Sequence, residues 1–169
     1  DLEYLCKDKL LTKKECESFK WGSNPKYVDY GIMYESRYAL LRKAYVRFIK
    51  KKPQDFDEFC EKEKQWLDDY ALFMALKDAN DGQAWSKWDK DLRLRKKEAM
   101  EAAKEQYAEE IRFYKMLQYL FYKQWNELKA YANEEGIEII GDVPIYVAGD
   151  SADVWANPDQ FYLDENLET

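Results

Sequence analysis

A chain of 169 residues with 46% apolar and 36% charged side chains can bury the core of one ordinary domain, yet is short for a multi-domain enzyme. Its 27 basic and 34 acidic side chains leave a net charge of −7, the wrong balance for a surface that neutralises phosphates, so no nucleic-acid partner is expected. Histidine is absent, which removes Ser-His-Asp triads, HExxH zinc sites and imidazole acid–base work from anything these residues do alone.

In chain order, Asp1 is placed to cap a short helix through Lys7. Thr12 and Glu15 have the spacing of a capping box, which predicts a second helix through Phe19. Trp21-Gly22-Ser23-Asn24-Pro25 reads as a loop. Asp29 is the N-cap expected for a long helix through about Lys50. On it Tyr34, Tyr38, Leu41, Tyr45 and Phe48 recur at helical spacing and predict an apolar, aromatic core face. Pro53 stops that helix. Asp55 with Glu58 suggests another cap, followed by an inward face of Phe56, Phe59 and Cys60.

Trp66 to Lys77 carries apolar residues nearly all round and reads as a deeply buried helix, ended by the turn residues Asn80-Asp81-Gly82. Trp85 and Trp88 fall in a connecting stretch before the charged run Asp89 to Glu98. One long helical pattern then runs from about Lys97 to Asn133, with Tyr107, Ile111, Tyr114, Leu117, Phe121, Trp125 and Leu128 on its predicted core stripe. Its length predicts a kink or break near Glu109.

At Gly136 the pattern changes. Gly136 suits a left-handed C-cap, and Ile137-Glu138-Ile139-Ile140 reads as a short buried parallel strand. Asp142 follows at the carboxyl end of that strand. Helix, glycine, apolar strand and terminal carboxylate are the succession of parts in an α/β barrel, where the strand's carboxyl end carries chemistry. The expected architecture is therefore mainly α-helical, with a strand and loop of the α/β-barrel kind after Gly136.

The three cysteines, Cys6, Cys16 and Cys60, form no CxxC and are odd in number, so neither a disulfide framework nor a thiolate metal site is expected. A reducing, cytoplasmic location follows as the simpler reading. The longest apolar run, Tyr70 to Leu76, is far below the ~20 residues of a bilayer span, and the charged N-terminus does not resemble a signal peptide. No membrane partner is expected. The chain begins at Asp1, which suggests processing or excision from something longer.

The segment Gly136-Ile137-Glu138-Ile139-Ile140-Gly141-Asp142-Val143-Pro144-Ile145-Tyr146-Val147-Ala148, continued by Asp150-Ser151-Ala152-Asp153-Val154-Trp155-Ala156-Asn157-Pro158, resembles the amylomaltase family of 4-α-glucanotransferases. The resemblance extends to Tyr70-Ala71-Leu72-Phe73-Met74-Ala75-Leu76-Lys77, to Phe113–Leu128 with Leu117-Gln118-Tyr119 and Gln124-Trp125, and to Asp29-Tyr30-Gly31 with Tyr34-Glu35. It covers nearly the whole chain and implies that residues 1–135 are a helical subdomain between strands of a (β/α)8 barrel and residues 136–169 one barrel strand with its following loop. It implies a retaining barrel enzyme that moves α-1,4-glucan segments between maltooligosaccharides, amylose or related glucans through a covalent glycosyl-enzyme. An aspartate nucleophile and a glutamate acid/base would stand ~5–5.5 Å apart, assisted by a second aspartate. In the family those carboxylates lie beyond the strand found here, so no catalytic residue is expected within this sequence and the isolated chain is expected to be inactive. No cofactor and no metal are implied.

The resemblance places Asp142 near the bound glucose ring, where it would hydrogen-bond sugar hydroxyls or orient a catalytic neighbour; fixing the loop through backbone N–H groups is the plainer alternative. Tyr146 and Val147 stand where α-amylases carry asparagine and histidine, which agrees with this family and weakens a plain amylase reading. Ser151 or Asp150 suits the cap of a short turn leading to Trp155, with substrate contact as the second option. Trp155 could stack on a pyranose face or pin the loop from within the core. Trp85 and Trp88 pose the same choice. Asp142, Tyr146, Ser151 and Trp155 are therefore the residues expected to bind substrate or support the active site.

Two other readings are compatible with parts of the sequence. A glucan hydrolase of the α-amylase clan would use the same carboxylates. A stand-alone helical interaction module would present its aromatic faces to a partner, but has no need of a strand ending in Asp142. Self-association is expected if apolar surface meant for a barrel is left exposed.

Overall fold

The computed structural model describes residues 1–164 and 167, and these are mainly helical. Two compact units divide the chain, Asp1–Glu58 and Phe59–Thr169.

In the first unit, α1 (Leu2–Lys7) is capped by Asp1, whose carboxylate accepts from the backbone N–H groups of Glu3 and Tyr4 at 2.7 and 3.4 Å. Helix α2 (Lys13–Glu17) opens with the expected capping box: Glu15 N–H donates to Thr12 Oγ1 at 3.2 Å, and Thr12 N–H donates to Glu15 Oε2 at 2.9 Å. Helix α3 (Tyr30–Lys51) starts at Asp29, which accepts from Ile32 N–H at 3.0 Å, and ends at Lys52 in the left-handed region before Pro53. Arg47 of α3 clamps Glu15 with two parallel bonds of 2.7 and 2.8 Å and donates a third to the Leu10 carbonyl at 2.9 Å. The hydrogen bonds from Arg47, then those from Thr12, hold the Glu15 carboxyl at a pKa of about 2.

Leu5, Leu10, Leu11, Leu40, Ala44, Tyr45, Phe48 and Phe56 are buried in this unit, with Phe48 and Phe56 meeting edge-to-face at 5.0 Å. The expected aromatic stripe on α3 is only partly inward. Tyr34 is exposed and stacks beside Tyr38, while Ser36 is buried and donates to the Lys20 carbonyl at 2.7 Å.

Helix α4 (Gln54–Lys62) leads into the second unit, which is organised around α5 (Lys64–Ala79). Leu67, Ala71, Leu72, Phe73, Ala75 and Leu76 are all buried, as expected for a helix apolar nearly all round. It packs against α8 (Ala108–Glu134) and against the short α9 (Ala152–Ala156). Between them run a 3-10 turn at Trp85–Lys87, α6 (Lys90–Arg93) and α7 (Lys97–Gln106). A second 3-10 turn, Pro158–Gln160, follows α9. The long helical pattern breaks at Tyr107, two residues before the expected Glu109, without a proline or glycine at the break.

Along α8 the buried positions are Phe113, Tyr114, Met116, Tyr119, Leu120 and Ala132, whereas Phe121, Trp125 and Leu128 are exposed. The expected stripe therefore holds in the N-terminal half and fails beyond Leu120. Periodicity fixed the spacing of that stripe, but the partner elements determine which face is covered.

Helix α8 closes with a Schellman motif: Gly136, at φ 76°, donates to the Asn133 carbonyl at 3.0 Å, and Ile137 donates to the Ala132 carbonyl at 2.8 Å. After it the expected strand over Ile137–Ile140 is not formed, and no residue among those described is in a strand. The run has the composition of a strand but is exposed, with Ile137 at 59% and Ile140 at 91%. A parallel strand needs neighbours on its edges to satisfy its backbone, and none is present among the described residues.

Candidate functional site

The loop between Gly141 and Ser151 leaves Asp142 exposed, and among the described residues its carboxylate has no hydrogen-bond partner. Tyr146 is 89% exposed. These two expected site residues therefore lie on an exposed segment.

Beyond Val147 the segment is tied down. Asp150 is the anchor: its carboxylate pairs with the Lys77 ammonium of α5 and accepts from Trp85 N–H at 3.2 Å. Trp85 Nε1–H donates to the Gly149 carbonyl at 2.7 Å, so indole and carboxylate grip adjacent residues of the loop. Ser151 then caps α9, its hydroxyl accepting from Val154 N–H at 3.3 Å. Sequence reasoning placed Asp150 in a capping role beside Ser151; its actual partners lie more than sixty residues away in sequence, and no local pattern could have identified them.

Trp155 is 1% exposed. Its indole N–H donates to the Leu92 carbonyl at 3.1 Å, its ring lies 5.7 Å from Trp88 and 5.8 Å from Phe73, and the Arg95 guanidinium sits 4.3 Å from its centroid. Arg95 is in turn paired with Asp69 at 2.6 Å. Trp85 and Trp88 belong to the same core at 3% and 4% exposure. In this arrangement all three indoles pack the interior that carries the loop, and none presents a free ring face.

Two hollows flank α9 and its preceding loop. One, of about 290 Å³, lies among Trp85, Ser86, Lys87, Gly149, Asp150 and Val154. The other, of about 170 Å³, lies between Trp66, Asp69 and Tyr70 of α5 and Asp153, Ala156 and Asn157. Asp142 and Tyr146 line neither. Among the described residues no three His, Cys, Asp or Glu side chains converge as metal ligands, and no helix is long and apolar enough to cross a membrane. The site as built is a solvent-facing carboxylate on a loop whose far end is rigidly moored.

Known proteins resemble this arrangement along the full chain. A model of the 4-alpha-glucanotransferase family matches residues 1–167. The 4-alpha-glucanotransferase of Clostridium butyricum is 47% identical over 169 residues, 99% of this chain and 35% of the relative. That of Thermus thermophilus is 49% identical over 142 residues, 82% of this chain and 28% of the relative. Among solved structures, the amylomaltase from Streptococcus agalactiae in complex with acarbose superposes with a TM-score of 0.92 at 38% identity, covering 99% of this chain and 34% of that one. The chain thus spans about a third of the length of the relatives it matches.

Proposed function

The chain belongs to the 4-alpha-glucanotransferase family, and on that footing we propose that it is part of an enzyme that transfers α-1,4-glucan segments between maltooligosaccharides or starch- and glycogen-derived chains. The observation that carries this is its structural likeness, over 99% of its length, to an amylomaltase solved with acarbose. In this reading the reaction is retaining. A nucleophilic carboxylate and an acid/base carboxylate outside these 169 residues act about 5–5.5 Å apart, and an acceptor sugar instead of water resolves the glycosyl-enzyme. The isolated chain is then inactive.

Residues 1–135 act as a helical subdomain and residues 136–169 as a barrel strand with its loop. The exposed run from Ile137 to Val147 supports this, because apolar side chains at that exposure are stabilised by burial in a sheet. Pairing Ile137–Ile140 in the barrel would set Asp142 at a strand's carboxyl end, within reach of sugar hydroxyls or of a catalytic neighbour. Tyr146 would border the same rim. Ser151 and Trp155 would hold the loop in place from behind, through the cap of α9 and the indole core. A cytoplasmic setting is part of the proposal and rests on three cysteines that are not joined in a disulfide.

Incubating the full-length protein with maltotriose tests the reaction. Glucose plus maltooligosaccharides longer than the substrate, with no net gain of reducing ends, is the expected outcome. A steady gain of reducing ends without longer products would make the enzyme a hydrolase.

A further inference from the structure

Cys6 and Cys16 were separate thiols in the sequence, yet the fold brings their sulfurs to 3.8 Å, in contact. Both are partly exposed, so a small reagent reaches them. The contact is imposed by a braced hairpin. Asp1 caps α1, the Leu10 and Leu11 N–H groups both donate to the Leu5 carbonyl at 2.9 and 3.1 Å, and the capping box starts α2. Arg47 holds the Leu10 carbonyl and the Glu15 carboxylate from α3, and the Trp21 indole donates to the carbonyl of Cys16 itself at 3.0 Å. Closing the gap to the about 2.05 Å of a sulfur–sulfur bond asks for side-chain rotation and a small shift of the two short helices.

We propose that Cys6 and Cys16 form a reversible dithiol–disulfide site whose oxidising substrate is a low-molecular-weight disulfide. A thiolate of the pair attacks one sulfur of the small disulfide, cleaving its S–S bond, forming a mixed disulfide and releasing one small thiolate. The second cysteine thiolate then displaces the other small thiolate and forms the Cys6–Cys16 bond. Two protons leave the cysteines for the two released thiols. The pair loses two electrons and the small disulfide gains them. Burial and the neighbouring Cys6 thiol push the Cys16 thiol up, consistent with Cys6 attacking first. The product staples α1 to α2 across ten residues of sequence. This site goes beyond glucan transfer and does not depend on it.

The test treats the native full-length protein with glutathione disulfide, blocks remaining thiols and digests with trypsin without reduction. Cleavage after Lys7 and Lys14 separates the two cysteines, so a bridge appears as the peptide ending in Cys6-Lys7 linked to Glu15–Lys20, and dithiothreitol releases it. The Cys60→Ser variant is expected to give the same linked pair. Cys16→Ser is expected to accumulate the glutathione adduct of Cys6 at least about tenfold over the unsubstituted protein, because the intramolecular displacement is lost. Recovery of Cys6 and Cys16 as separate adducts, as unreacted thiols, or linked only after denaturation would overturn the proposal.

Discussion

Replacing Trp155 with alanine removes a side chain that is 1% exposed and bonded through its indole to Leu92. The loss should be about 3–5 kcal/mol, read as a lowered denaturant midpoint, because a large aromatic leaves a cavity that its two ring neighbours cannot fill. Asp142 should behave in the opposite way. It makes no hydrogen bond or ion pair among the described residues, so Asp142→Asn should leave the thermal midpoint of the isolated 169-residue chain unchanged. If it bonds sugar or a catalytic group as proposed, kcat/KM of the full-length enzyme for maltotriose falls about 10- to 100-fold, the worth of one charge-assisted hydrogen bond. Unchanged kinetics would remove Asp142 from the site. Glu15 adds a pH dependence. Its folded pKa of about 2 lies below the unfolded value of 4.5, so its contribution is complete above about pH 4.5 and is lost as the pH falls through 2. Glu15→Gln should accordingly be less stable than the parent at pH 6, with the difference shrinking towards pH 2 in urea melts.

Helix ends were the most legible elements, because their chemistry is local. Asp1, Thr12 with Glu15, Asp29, Gly136 and Ser151 each sit within four residues of the groups they satisfy, and each was readable from sequence. Gly136→Ala should cost about 1–2 kcal/mol, measurable by urea unfolding, since a Cβ is disfavoured at φ 76° although nothing crowds it. What sequence left open were the long-range choices. The outer half of the α8 stripe is exposed, the Lys77–Asp150 pair spans 73 residues, and Cys6 meets Cys16 only once the hairpin folds. The Ile137–Ile140 run has the composition of a strand, but a strand is a property of a sheet. Its neighbours are not among the described residues, and the run stays unpaired.

For the molecule as a whole, the apolar side chains exposed from Ile137 to Val147 form a continuous sticky segment. The isolated 169-residue chain should therefore self-associate, and size-exclusion chromatography with light scattering should show mass rising with concentration; a constant monomer mass would contradict this. The central claim is that this segment becomes a barrel strand presenting Asp142 to a glucan. A crystal structure of the full-length protein with acarbose tests it most directly. The account predicts Ile137–Ile140 paired on both edges in a parallel sheet, with the Asp142 carboxylate within hydrogen-bond distance of the ligand or of a carboxylate that touches it. An unpaired segment with Asp142 in solvent, remote from the bound acarbose, would contradict it.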